Sequence, residues 1–274
     1  MALAAIIFAL STVLCAAVAW REFAVSERIA TYIENRHAAK APGIAANTPK
    51  EEWPSWVAEY VARQIAAAEA AHAETQAIQP PEILPQYAAL YAENSDLVGW
   101  LKLDGTKIDY PVLQNKQDPE YYLHRGFDKN YLYAGALFLD AKNDILLPSA
   151  NFLIYGHNMK NGSYFGQLPK YLDRAFFDQQ PIFQFDTIYE TGDYEVIAVV
   201  LTKIYNQDED AFKYYKWALI DNEADFNYYV ENMKALSVYD TGKSAVWGEQ
   251  LITLSTCYYQ TENGRCVVVG RKID

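Results

Sequence analysis

Three side chains able to do chemistry together stand at junctions between apolar runs and polar loops. Residues 250–257 read Gln250-Leu251-Ile252-Thr253-Leu254-Ser255-Thr256-Cys257, an apolar, β-branched run that ends on a thiol. A polar stretch follows, and then Arg265-Cys266-Val267-Val268-Val269-Gly270 opens on a guanidinium. Upstream, another apolar run ends Tyr155-Gly156-His157-Asn158. A free thiol titrates near about 8.5 and is a weak nucleophile until an imidazole acts as base or holds it as a thiolate. A tetrahedral intermediate then needs N–H donors or positive charge at its oxyanion. Cys257, His157 and Arg265 are candidates for those three roles in a thiol acyl transfer.

Each residue also has a plainer reading: Cys257 as a small core residue, His157 as a structural histidine, Arg265 as a surface cation. Their common position at strand ends, where scaffolds build sites, favours the chemical reading. His124, in Tyr121-Tyr122-Leu123-His124-Arg125, is a competing histidine. It is ranked lower because choosing it leaves the His157 strand end without a role. No Cys-x-x-Cys or His-x-x-x-His spacing suggests a metal, and no cofactor is expected. No Gly-x-Ser-x-Gly elbow supports a serine nucleophile.

These residues need strands to hold them, and the chain supplies eight candidate runs: 97–103, 106–113, 134–139, 151–155, 181–189, 194–204, 251–256 and 265–273. Asp104-Gly105 between the first two is a hairpin signal. Eight short runs with few long helices predict a mainly β, closed or nearly closed barrel. Residues 208–236, with Phe212, Tyr215, Trp217, Phe226, Tyr229, Val230 and Met233, predict one or two helices inserted before the last two strands.

Composition narrows the function. The 274 residues carry a net charge of −12 and a pI near 4.8, which argues against a nucleic-acid partner. Hydrophobic residues make up 51%, and 22 Tyr against 3 Met favour a β-rich domain. The cysteines are Cys15, Cys257 and Cys266, too few for a disulfide framework, and Cys266 reads as an inert buried thiol.

Residues 3–20 are apolar without a charge, close to the length of a membrane span of about 20 residues. No basic segment precedes them, so an uncleaved anchor is expected in preference to a signal peptide. Residues 21–83 are Ala-rich and charged, with helices expected over 22–36 and 53–75 as a spacer. The expected organisation is an anchor (1–20), a helical spacer (21–83) and a catalytic domain (84–274).

Several of these segments together resemble the sortase family. Thr253-Leu254-Ser255-Thr256-Cys257 followed by Arg265 resembles the sortase signature. Tyr155-Gly156-His157-Asn158-Met159, continuing to Gly162-Ser163-Tyr164-Phe165, resembles its histidine region. Residues 94–100 running into 106–112, the Tyr121-Tyr122-Leu123 run, and the helical insert ending Ser237-Val238-Tyr239 resemble class B.

The resemblance implies an eight-stranded sortase-type β-barrel and a membrane-anchored cysteine transpeptidase with its catalytic domain outside the cell. Cys257 would attack the Thr carbonyl of a C-terminal sorting motif in a secreted protein. Arg265 would stabilise the oxyanion and His157 would move the protons. A peptidoglycan amine or a pilin Lys would resolve the thioacyl enzyme. Leu123, Ser255 and Thr256 would line the substrate groove. A thiol hydrolase and a non-catalytic binding domain are the alternatives.

Overall fold

In a computed structural model of the chain, the described residues are 81–273 together with 54, 56, 57, 59, 62 and 63. The chain divides into two units at Gln79/Pro80, and the fold below is that of the second. The expected anchor and most of the expected spacer helices lie outside the described residues. Among the described residues, no helix is long and apolar enough to cross a membrane.

The eight expected strands are present: β1 (Leu97–Lys102), β2 (Asp109–Leu113), β3 (Leu137–Leu139), β4 (Asn151–Tyr155), β5 (Ile182–Thr187), β6 (Asp193–Lys203), β7 (Leu251–Cys257) and β8 (Gly264–Lys272). They close into a barrel in the order β1-β2-β3-β4-β7-β8-β6-β5. The contacts β2–β3 and β4–β7 are parallel and the rest are antiparallel. Closure removes the open edges that a sheet would otherwise leave.

Two expected strands are shorter than their apolar runs. β2 begins at Asp109 because the turn absorbs residues 103–108. There the Thr106 hydroxyl donates to the Leu103 carbonyl and accepts from the Ile108 N–H. β3 begins at Leu137 because Gly135 turns the chain at φ +57° and donates its N–H to Leu132.

Strands β4 and β7 and most of β6 and β8 are buried on both faces, which is why they read as near-continuous apolar runs, whereas β5 alternates exposed and buried residues. Inside, Ile252, Leu254 and Val268 pack with Phe152, Ile154, Phe183 and Phe185. Outside, Leu251, Val267 and Val269 pack under the insert. That insert holds one α-helix and a single 3-10 turn, Tyr214–Lys216.

Three α-helices decorate the described barrel: α1 (Pro85–Glu93), α2 (Arg174–Gln179) and α3 (Glu223–Ala235). Asn222 caps α3 by accepting from the Asp225 N–H, and Phe226, Tyr229, Val230 and Met233 form its buried stripe. α1 and α2 are additions to the sequence expectation. Asp173 caps α2 through the Ala175 N–H, a signal present in the sequence. Pro85 sits in the first turn of α1.

Candidate active site

β7 sets the geometry. Side chains alternate along a strand, so Thr253, Ser255 and Cys257 share the outer face while Ile252, Leu254 and Thr256 face inward. β8 runs antiparallel beside it, with Cys257 directly opposite Arg265 and Thr256 opposite Cys266. Residues so paired have Cβ atoms about 5 Å apart. Arg265 therefore stands beside the thiol, while Cys266 lies on the opposite face. Cys266 is fully buried, and burial pushes its thiol up to about 12. A disulfide between the two cysteines is excluded by that alternation, and both are free.

β4 runs parallel on the other side of β7, with Tyr155 opposite Ser255. Three hydrogen bonds carry the alignment past the end of β4. The Gly156 N–H donates to Ser255 O (3.2 Å), the Thr256 hydroxyl donates to Gly156 O (2.7 Å), and Asn158 Nδ2 donates to Cys257 O (2.8 Å). His157 is thereby held level with Cys257. Gly156 fits because a Cβ there would lie 2.4 Å from Leu137 Cδ2 and 2.7 Å from Phe165 Cδ2. Only a residue without a side chain lets the strand turn so closely over the core.

The His157 ring is half-buried and contacts the carbonyl of Leu123 through Nε2 at 2.9 Å. A carbonyl only accepts, so Nε2 carries a hydrogen and the neutral ring keeps its lone pair on Nδ1. Burial holds the His157 pKa below the ordinary histidine value, and the charge of His124 acts in the same direction. The Leu123 carbonyl opposes both, because it favours the charged ring. Leu123 closes toward Gly135, whose Cβ, if present, would sit 2.3 Å from the same Leu123 oxygen. Among the described residues, no hydrogen bond joins the thiol to the imidazole; apo sites often show such looseness.

The Arg265 guanidinium is fixed by its own loop. Nη1 donates to Gly264 O (2.9 Å) and Asn263 O (3.3 Å). Asn263 reaches φ +54° to turn the chain there, a conformation Asn tolerates better than most residues. Among the described residues Arg265 forms no ion pair, so Nε and Nη2 remain available as donors to an anion.

The structure thus brings Cys257, His157 and Arg265 to one end of β4, β7 and β8. Leu123 joins them through its backbone. Ser255 and Thr256 sit differently from the groove-lining expectation: both side chains are buried. The Ser255 hydroxyl bonds the Tyr214 hydroxyl at 2.7 Å and Thr256 is committed to Gly156. Ser255 is covered by Tyr214 from the insert, which a lone strand sequence does not reveal, and Thr256 faces the barrel interior.

His124 is the last residue of a 3-10 turn, Tyr121–His124. Its ring stacks on His157 with centroids 5.4 Å apart. Sequence reasoning gave no role to Asn158 or to the Leu123 carbonyl. The first was readable only as a polar residue after the histidine. The second is a backbone group that side-chain identity does not encode. Among the described residues, no three His, Cys, Asp or Glu side chains cluster as a metal site requires.

The family described as the sortase domain matches residues 101–273 of this chain. The chain belongs to the sortase family. It is 36% identical to the sortase B of Listeria monocytogenes over 194 residues, covering 70% of this chain and 76% of that protein. It is 31% identical to the sortase B of Staphylococcus aureus over 193 residues, with the same coverage. Among solved structures, a Bacillus anthracis sortase B in complex with the compound AAEK1 superposes with TM-score 0.61 at 34% identity, covering 72% of this chain and 88% of that one. A Staphylococcus aureus sortase B–substrate complex superposes with TM-score 0.62 at 29% identity, covering 70% and 87%. The closed eight-stranded barrel is the architecture of these sortase B structures. The protein is a cysteine transpeptidase of the sortase B kind, from a family of cell-envelope enzymes acting on substrates that bear a sorting motif.

Proposed function

We propose that this sortase cleaves a C-terminal sorting motif after its Thr and joins the new carboxyl end to an amine acceptor. The observation that carries the reading is the register pairing of Cys257 with Arg265, with His157 held level on the other side of the same strand.

The Cys257 thiol passes its proton to His157 Nδ1, the resulting thiolate attacks the Thr carbonyl carbon, and the carbonyl electrons move onto oxygen. Arg265 Nε and Nη2 face that oxyanion. His157 donates a proton from Nδ1 to the departing amide nitrogen as the C–N bond breaks, leaving a thioester on Cys257. The acceptor amine then gives its proton back to Nδ1 and attacks the thioester. The C–S bond breaks, an amide forms, and the thiolate returns. Leu123 lines the groove, while Ser255 and Thr256 shape its floor through their backbone. The acceptor is a peptidoglycan peptide amine or a pilin Lys. Residues 1–20 anchor the chain, 21–83 form the spacer and 84–274 the catalytic domain, which faces outward.

The test is intact mass spectrometry of the full chain mixed with Asn-Pro-x-Thr-x and Leu-Pro-x-Thr-Gly peptides, with and without an amine. A thioacyl adduct on Cys257 that is replaced by ligated product when amine is added is the expected result. Free acid in place of ligated product at saturating amine would favour the hydrolase. An absence of adduct from every peptide, with Cys257 still alkylated by methanethiosulfonate, would refute the proposed motif classes.

A further inference from the structure

The Tyr121–His124 turn touches His157 twice, through the Leu123 carbonyl at 2.9 Å and through the His124 ring stacked at 5.4 Å. His124 is itself held. Its Nδ1 contacts the Tyr133 carbonyl at 3.1 Å, so Nδ1 carries the hydrogen and Nε2 is left to solvent on an exposed ring. The rings of Tyr133 (6.2 Å) and Tyr131 (6.4 Å) flank it. We propose that His124 is a positioning residue for His157: its ring and the adjacent Leu123 carbonyl fix one orientation and one tautomer of the catalytic imidazole, and a positive charge on its ring disfavours the protonated form of His157. This rests on the function proposed above and adds the control of its proton carrier.

Two imidazoles this close repel each other when both are charged. The other charged or titratable groups around them are few. Arg125 on the same turn lies over the Tyr121 ring at 4.4 Å. Tyr131 and Tyr133 come from the following loop, Cys257 from the end of β7, and Arg265 from β8. Tyr259 lies close enough to interact with both Cys257 and Tyr133. Among the described residues, no carboxylate pairs with either histidine. Of the groups named, the Cys257 thiolate of the proposed mechanism is the one that would offset positive charge on His157.

The experiment compares the full chain with His124→Phe, which keeps a flat ring and loses the charge, and with His124→Ala, which loses both. The readouts are the pH profile of kcat/KM and the His157 ring titration by NMR in a Cys257→Ala background. His124→Phe is expected to move the acid limb and the His157 titration upward. The shift is on the order of half a pH unit, from like charges about 5 Å apart in a water-like medium. kcat should stay within about threefold. His124→Ala is expected to lower kcat about tenfold with KM for the sorting peptide little changed, as loss of orientation requires.

An unmoved His157 titration in His124→Phe would overturn the charge coupling, and unchanged kcat in His124→Ala would overturn the positioning. The NMR titration does not depend on turnover. A chain inactive toward every peptide, with the shift intact, would therefore count against the proposed function and leave this inference standing.

Discussion

Replacing Arg265 by Ala separates catalysis from folding. The guanidinium makes two hydrogen bonds, both from Nη1 to carbonyls of its own loop, and no ion pair among the described residues. One of those carbonyls, Gly264 O, keeps the Tyr258 N–H as a second donor at 2.8 Å. Its loss of the guanidinium therefore leaves no buried acceptor unpaired. Two such bonds contribute about 2 kcal/mol at most, which in a domain of this size is a fall in Tm of about 8 °C at most.

The catalytic loss should be far larger. Removing one oxyanion donor from a preorganised site costs about 100- to 1000-fold in kcat, or about 2.7–4 kcal/mol. The assay is transpeptidation of a fluorogenic sorting peptide with amine, run beside thermal unfolding of the same preparations. Arg265→Lys should recover little, because an ammonium cannot hold two loop carbonyls and still present a planar fork to the oxyanion. Activity within tenfold of the parent would refute the oxyanion role. So would a Tm drop of 10 °C or more in step with the activity, since the residue would then be structural.

Cys257 should be alkylated by iodoacetamide at pH 7.5 while Cys266 stays unmodified in the folded chain, as peptide mapping would read; burial on the inner face, which pushes that thiol up to about 12, is the reason. Modification of Cys266 at a comparable rate would contradict the strand register. Tyr229→Phe should cost about 1–2 kcal/mol in urea unfolding with an unchanged m-value, because Thr253 Oγ1 donates to Asn151 Oδ1 (2.9 Å) and depends on the Tyr229 hydroxyl (2.6 Å) as its donor. A cost below about 0.5 kcal/mol would mean that this buried relay is not formed.

The strands β4, β6, β7 and β8 were legible because the barrel buries both their faces along most of their length, which gives continuous apolar runs, and β5 was legible from its alternation. The proposed catalytic residues Cys257, His157 and Arg265 stood out in the sequence because all sit at ends of apolar runs. What stayed hidden depends on contacts between distant segments. His124 and His157 are 33 positions apart, and no periodicity brings a 3-10 turn over a strand end. α2 has six residues, too few for a helical period to declare itself, although Asp173 marks its start. Strand alternation correctly puts Ser255 on the face of Cys257. It does not say that Tyr214, 41 positions away, covers it.

That cover explains why Cys257, the proposed nucleophile, is the residue of its row left accessible. Thr253, Ser255 and Cys257 form one outward row on β7. Tyr229 from α3 caps the first hydroxyl and Tyr214 from the 3-10 turn caps the second, leaving Thr253 fully buried and Ser255 2% exposed. Asn151 beside them extends the network to the Trp217 carbonyl, and Asn143 bonds the Asn151 and Ala218 carbonyls. The insert is therefore fastened to the barrel by hydroxyl and amide groups as well as by its apolar stripe. Such groups fix register more strictly than apolar contact does. Cys257 is the first residue of the row that the insert does not bury. A slip of β7 by one residue would turn the thiol to the inner face. A slip by two would carry it under Tyr214 or out beyond Arg265. In the proposed mechanism the polar fastening of the insert therefore serves catalysis, because it sets which residue of the row is left uncovered.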